Sequence, residues 1–85
     1  NVITPNGDGI NDKWNIKDLE RYPQNGVKIL NRWGDQVFNA TPYQQDWSGR
    51  WKGEPLPAGT YYYLINVKNS QGEEANFDGP LTIIR

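Results

Sequence analysis

Turn-forming residues recur along the whole chain, and their spacing limits the fold more than any other feature. Clusters rich in Gly, Pro, Asn and Asp, from Pro5–Gly9 to Asp78–Pro80, stand about 8–20 residues apart. Between them, no stretch repeats its apolar residues at the period of about 3.6 that an amphipathic helix needs. We therefore expect no helix longer than one turn. Short strands between frequent turns predict an all-β fold, a small immunoglobulin-like antiparallel β-sandwich of about six or seven strands.

The strongest strand signal lies between Thr60 and Asn69. Side chains alternate between the two faces of a strand, so one set enters the core, and Tyr62 and Leu64 lie on a half-exposed face. The inward set is Tyr61, Tyr63, Ile65 and Val67.

A second strand, 27–32, is followed closely by another at 36–39. Gly34 lies between them and adopts a positive φ at little cost, which predicts a tight hairpin. Further strands are expected at Val2–Ile3, at 14–19 with Trp14 and Ile16 on one side, and around 75–77. Pro80 permits an edge strand to begin at Leu81 and run to Arg85. The segment 40–59 is predicted to be a long loop pinned by Trp47 and Trp51.

Size and charge restrict the class of protein. Eighty-five residues are enough for one domain, spanning 1–85, and the absence of an initial Met suggests a piece of a longer protein. Nine basic and ten acidic residues are scattered along the chain, without the basic patch of a nucleic-acid binder or of a membrane-surface segment. No apolar run approaches the roughly 20 residues of a membrane-spanning helix, so direct membrane insertion is not expected.

The chain contains neither His nor Cys. It therefore has no imidazole base, no thiol nucleophile and none of the usual transition-metal ligands. Asp46 and Glu54 could in principle form a pair that hydrolyses a glycosidic bond, but acidic residues in loops are usually solvated. A small sandwich also has little depth for a dry catalytic cleft. The sequence predicts a protein that is not an enzyme.

An oxygen-rich loop lies near the N-terminus. The ligands for Ca²⁺ would be the side chains of Asn6, Asp8 and Asp12 and the carbonyl of Ile10, with Gly9 at the sharp turn. Thr4 stands where an EF-hand has its first Asp, and the bidentate Glu is missing. An Asx-turn loop that binds only its own backbone explains the same residues. Both interpretations remain open, and Ca²⁺ is the only cofactor the sequence suggests.

Aromatic residues in loops offer a second kind of site. Four of them, Trp33, Tyr43, Trp47 and Trp51, lie in or beside loops, where they could stack on sugar rings or anchor a protein partner. The alternative for Trp47 and Trp51 is that they plug the ends of a thin sandwich. Trp33 lies at a hairpin tip, where few neighbours can bury it.

Three segments together resemble a known family. They are ITPNGDGINDKWNI, VKILNRWGDQVF and WSGRWKGEPLPAGTYYYLINV, and the closing GPLTIIR is similar to the family's last strand. In this order and spacing they resemble the gliding-motility-associated C-terminal domain. It is also called the type B C-terminal sorting domain of the type IX secretion system of Bacteroidetes-type bacteria. The resemblance covers essentially the whole chain.

The resemblance implies a sorting signal for a secreted or surface protein. It further implies that the domain binds the type IX secretion machinery and pairs with a PorP-type outer-membrane barrel, which would place it at the cell surface. The residues expected to contact the partner are Arg32, Trp33, Gly34, Tyr62 and Arg85. Two alternatives remain, namely a carbohydrate-binding or adhesive sandwich that uses Trp33, Trp47 and Trp51, and a spacer without contacts of its own.

Overall fold

The computed structural model describes residues 2–5, 7 and 12–85, and these form seven strands and one turn of 3₁₀ helix, Leu19–Arg21. The expectation of no longer helix is confirmed within these ranges. In the same part of the chain, no helix has the length and apolar character needed to cross a membrane. The strands are β1 (Val2–Ile3), β2 (Gln24–Leu30), β3 (Gln36–Ala40), β4 (Arg50–Trp51), β5 (Glu54–Pro55), β6 (Gly59–Lys68) and β7 (Glu74–Ile83).

Five strands form one sheet in the order β1-β7-β6-β2-β3, and β4 and β5 form a separate hairpin. Neighbouring strands are antiparallel except β1, which runs parallel to β7. One face of the sheet is covered by the irregular segments 14–22 and 41–56, which contribute buried side chains to the same core. The predicted all-β sandwich is confirmed, with one parallel pair in its main sheet.

The alternation predicted for the Tyr-rich strand is confirmed in β6. Tyr61, Ile65 and Val67 are buried in the core, and Tyr63, the fourth residue of the predicted inward set, is partly buried against it. Tyr62 and Leu64 lie on the opposite face, with 47% and 40% of their surfaces exposed. The sheet therefore has one covered face and one open face.

The segment 14–19 is not a strand, which corrects the expectation for it. Trp14 is buried and Ile16 is partly buried, both against the core. The side-chain amide of Gln45 substitutes for a partner strand: its Oε1 accepts from the Ile16 N–H at 2.7 Å, and its Nε2 donates to the Ile16 carbonyl at 3.1 Å. One side chain thus satisfies the backbone that a sheet would otherwise satisfy.

The prediction of a separate edge strand beginning at Leu81 is wrong, because β7 continues through Pro80. The Ile84 N–H donates to the Ile3 carbonyl at 3.0 Å, so Ile84 directs its peptide group towards β1. In a strand, every second residue directs its N–H and C=O groups to the same side. Pro80 lies four residues before Ile84, so its nitrogen also faces the β1 side and points away from β6. The missing N–H therefore costs no bond to β6. The end of β7 has β6 on one side and β1 on the other, with Ile3 opposite Ile83.

A buried tyrosine joins the two irregular segments. The Tyr43 hydroxyl donates to the Trp14 carbonyl at 2.6 Å and accepts from the Trp47 N–H at 3.0 Å. The Tyr43 N–H donates to the Asn25 side chain at 2.8 Å, and the Asn25 amide donates to the Tyr22 carbonyl at 2.7 Å. These bonds attach the segments 14–22 and 41–56, which form the second layer of the fold, to the start of β2.

Tyr43 makes the stability of the fold depend on pH in the alkaline range. Burial raises the pKa of Tyr43 from its ordinary 10.0 to about 12; the Trp47 N–H opposes this rise and the Asp46 charge adds to it. Because the folded state favours the neutral phenol, this contribution is complete below about pH 10 and is lost as the pH approaches 12. We expect the free energy of unfolding to fall by up to about 3 kcal/mol across this window.

Denaturant titrations at several pH values test this expectation. Tyr43→Phe should be less stable at neutral pH, because two buried backbone groups lose their partner. It should also lose less stability than the wild type between pH 10 and 12. An equal loss in both proteins would show that Tyr43 is not the group responsible.

Candidate functional site

Several loops meet at one end of the main sheet. β2 ends and β6 begins there, since Leu30 lies opposite Tyr62, and β6 starts with Gly59 opposite Ile83 at the end of β7. The hairpin turn 31–35, the segment 57–61 and the residues 84–85 therefore share this end, which we call the loop end. It combines segments of the second, third and closing motifs, which are distant in the sequence.

The hairpin turn is held by one asparagine. The Asn31 side-chain oxygen accepts from the Trp33 N–H at 3.0 Å and from the Asp35 N–H at 2.9 Å. The backbone carbonyl of Asn31 accepts from the Gly34 N–H at 3.0 Å. Gly34 has a φ of +85°, in a region that other residues rarely adopt. The predicted tight hairpin is confirmed, and its tip is internally bonded.

Trp33 is the most exposed large hydrophobic residue of the described part of the chain, with 72% of its surface accessible. The guanidinium carbon of Arg32 lies 4.3 Å from the centre of the Trp33 ring, within the range of a cation–π contact. The pair forms an apolar surface beside a positive charge at the tip of a bonded turn. The sequence predicts the exposure of Trp33 correctly.

A cavity of about 180 Å³ lies between the hairpin turn and the segment 57–61. Tyr61 lines it, and the Tyr61 hydroxyl donates to the Pro57 carbonyl at 2.8 Å. Burial raises the pKa of Tyr61, and the nearby charges of Arg85 and Arg32 oppose the rise. The sequence does not predict that the hairpin turn and the segment 57–61 lie side by side, because their proximity depends on how β6 pairs with β2.

Arg85 binds within the chain. Its Nε donates to the Leu56 carbonyl at 2.8 Å, and a terminal nitrogen donates to the Gly49 carbonyl at 2.9 Å. These bonds attach the end of the chain to the residues flanking the β4–β5 hairpin. A contact between Arg85 and a partner remains a prediction.

Tyr62 lies on the open face near the loop end. It stands between Leu30 on β2 and Pro80 on β7. The next pair on this face, further from the loop end, is Leu64 and Asp78. Tyr62 can therefore contact a molecule that covers both the hairpin tip and the open face.

The other loop tryptophans have structural positions. Trp47 is only 3% exposed, packs against Phe38 with ring centres 5.5 Å apart, and donates from its indole nitrogen to the Arg50 carbonyl at 2.9 Å. Trp51 is partly buried against the core. Of the three tryptophans considered for sugar binding, only Trp33 presents most of its surface to solvent.

Most of the proposed calcium ligands, Asn6, Asp8 and Ile10, lie outside the described residues. Asp12 is described, and its Oδ1 accepts from the Gly7 N–H at 3.0 Å. Among residues 2–5, 7 and 12–85, no three acidic side chains lie close enough to hold a metal ion. Calcium binding by this loop remains a prediction.

Comparison with protein families gives the class of the domain. A family model described as the CHU_C type IX secretion signal domain matches residues 1–83. The chain belongs to this family. The CHU_C domain is a sorting signal of the type IX secretion system, so the secretion machinery is its partner and its protein is secreted or displayed on the cell surface. The family is one of signal domains and not of enzymes.

Two further comparisons concern individual proteins. A search of curated proteins finds no significant match. Among solved structures, the CHU_C domain is similar to CopC from Methylosinus trichosporium OB3b, with a TM-score of 0.52 and 22% sequence identity. The similarity covers 69% of this chain and 60% of CopC. At this identity, it shows a shared fold only.

Proposed function

We propose that the loop end is the surface by which the type IX machinery recognises this domain, and that a PorP-type outer-membrane barrel then holds it at the cell surface. The observation that carries the proposal is the exposure of Trp33, 72% accessible on a turn whose backbone is bonded to Asn31. An aromatic ring of this size gains most when a partner covers it.

The chemistry of the hairpin tip suits protein recognition. Trp and Arg are enriched among the residues that dominate binding energy at protein interfaces. Arg32 and Trp33 are already stacked in the free domain, and the Asn31 bonds hold the turn. A surface ordered before binding loses less conformational entropy when a partner arrives.

The proposed surface is a property of the folded domain. Arg32, Trp33 and Gly34 come from the hairpin, and the opposite wall of the small cavity comes from residues 57–61. Tyr62 extends the surface onto the open face of the sheet. Unfolding would separate these groups, so we expect recognition to require the folded domain.

A reporter fusion tests the proposed function. A fluorescent protein with an N-terminal signal peptide and this domain at its C-terminus would be expressed in a bacterium with a type IX system. We expect the reporter outside the outer membrane in the wild type and in the periplasm of a type IX mutant. Periplasmic retention in the wild type, with the domain intact by immunoblot, would contradict the proposal.

A further inference from the structure

The edge of β7 lacks a neighbour along most of its length in the described part of the chain. β1 pairs only with Thr82 and Ile83, whereas β6 pairs with every residue from Glu74 to Ile83. On the β1 side, Glu74–Leu81 therefore present strand backbone without a paired strand. An edge of this kind is a template for a further strand.

An apolar groove lies beside this free edge, on the covered side of the sheet. Its volume is about 410 Å³. Phe77 borders it and remains 55% exposed, because the second layer does not reach across it. The rest of the groove is lined mainly by apolar and aromatic side chains, among them Trp14, Leu19, Tyr63 and Ile65, together with the polar residues Asn15, Lys17 and Asp18.

The polar side chains of this part of β7 do not obstruct the groove. Asp78 lies opposite Leu64, and Glu74 lies opposite Lys68, both on the open face. Ala75, Phe77 and Gly79 lie opposite residues of the covered face, so they flank the groove. Only Pro80 removes a donor from the free edge.

We infer that the polypeptide entering the domain from its N-terminal side adds to this edge as an extension of β1. β1 is parallel to β7, with Val2 opposite Thr82 and Ile3 opposite Ile83. Continuing that register backwards puts the residue before Asn1 opposite Pro80 and the seventh residue before Asn1 opposite Glu74. The existing pairing thus fixes both the direction and the register of the added strand.

The register also assigns the faces of the added strand. Ile3 and Ile83 both lie in the core, and side chains in a parallel pair that lie opposite each other share a face. Counting back from Asn1, the second, fourth and sixth residues would lie beside Gly79, Phe77 and Ala75 and would cover the groove. The first, third, fifth and seventh would lie on the open face. The inference relies on the proposed function only in that a cargo is joined at the N-terminal side.

Seven-residue N-terminal extensions test the inference. One extension carries Val at the second, fourth and sixth positions before Asn1 and Thr elsewhere. The control moves the same pattern by one residue, so that Val falls on the open face. A Gly-Ser extension of equal length serves as the reference.

Expected results differ between the two patterned extensions. The first should raise the melting temperature by about 4 °C or more over the reference, and it should slow amide exchange at Asn76 and Asp78 by about tenfold. The shifted pattern should do neither, and Phe77→Ala should reduce the gain of the first. Equal melting temperatures and exchange rates for all three extensions would overturn the inference.

Two other outcomes are informative. Protection of β7 that rises with concentration in the chain without an extension would assign the edge to a second copy and overturn the inference. The same three extensions, placed between the reporter and the domain, separate this inference from the proposed function. If the reporters with all three extensions are exported, and amide exchange in β7 is the same for all three, only the inference that the edge pairs with the extension is overturned.

Discussion

Replacing Trp47 with Ala should destabilise the domain more than any replacement at its surface. The ring is 3% exposed and packs against Phe38, and its indole nitrogen donates to the Arg50 carbonyl. Removing it leaves a cavity in the core and an unpaired carbonyl, and a buried Trp→Ala change costs about 3–5 kcal/mol. Urea unfolding monitored by circular dichroism measures the change.

The expected loss is a large part of the total stability. An 85-residue domain has an unfolding free energy of about 4–13 kcal/mol at the usual stability per residue. Trp33→Ala is the matched control, because it removes the same side chain from an exposed position and should change stability by less than about 0.5 kcal/mol. Similar losses for both variants would contradict the burial of Trp47.

Replacing Trp33 with Ala should have the largest effect on recognition. The ring is open to solvent and Arg32 is stacked on it, so this pair is expected to supply a central contact. Loss of such a contact costs about 2 kcal/mol or more, which is roughly 30-fold in affinity. In cells with a type IX system, the Trp33→Ala reporter should accumulate in the periplasm or be released from the surface.

Controls separate this effect from misfolding. Trp33→Ala should keep the wild-type melting temperature, because its ring supports no core residue. Phe77→Ala removes another exposed ring, outside the loop end, and should leave reporter location unchanged. If both variants behave like the wild type in fractionation, then the hairpin tip is not the recognition surface.

The sequence predicts strands well where one face is buried. The alternation in β6 is readable because the side-chain period of a strand is two, and the buried set follows directly. The segment 14–19 is misread because its backbone is satisfied by Gln45, 29 residues from Ile16 along the chain. Nothing local in the sequence indicates such a partner.

Pro80 shows a second limit of predicting strands from residue type. Because it lacks an N–H, it indicates a strand boundary, yet it lies inside β7. Whether the missing donor matters depends on which side its nitrogen faces, and that is set by the pairing with β6 and β1. Long-range register therefore decides a question that residue type leaves open.

The sequence predicts the local features of the candidate site but not the contacts between its distant segments. The hairpin, its glycine and the exposure of Trp33 follow from residues within one turn. The cavity beside residues 57–61 and the bonds from Arg85 to Leu56 and Gly49 arise from contacts between distant segments.

Site-specific crosslinking in cells decides whether the hairpin tip is the recognition surface. A photoreactive amino acid placed at position 33 of the domain, in an exporting cell, reports which proteins touch the hairpin tip. The same amino acid at position 71, in the exposed turn between β6 and β7, serves as the control. We expect adducts with a type IX component or an outer-membrane barrel from position 33 and not from position 71. Efficient export with no adduct at position 33, or with the same adducts from both positions, would show that the hairpin tip is not the recognition surface.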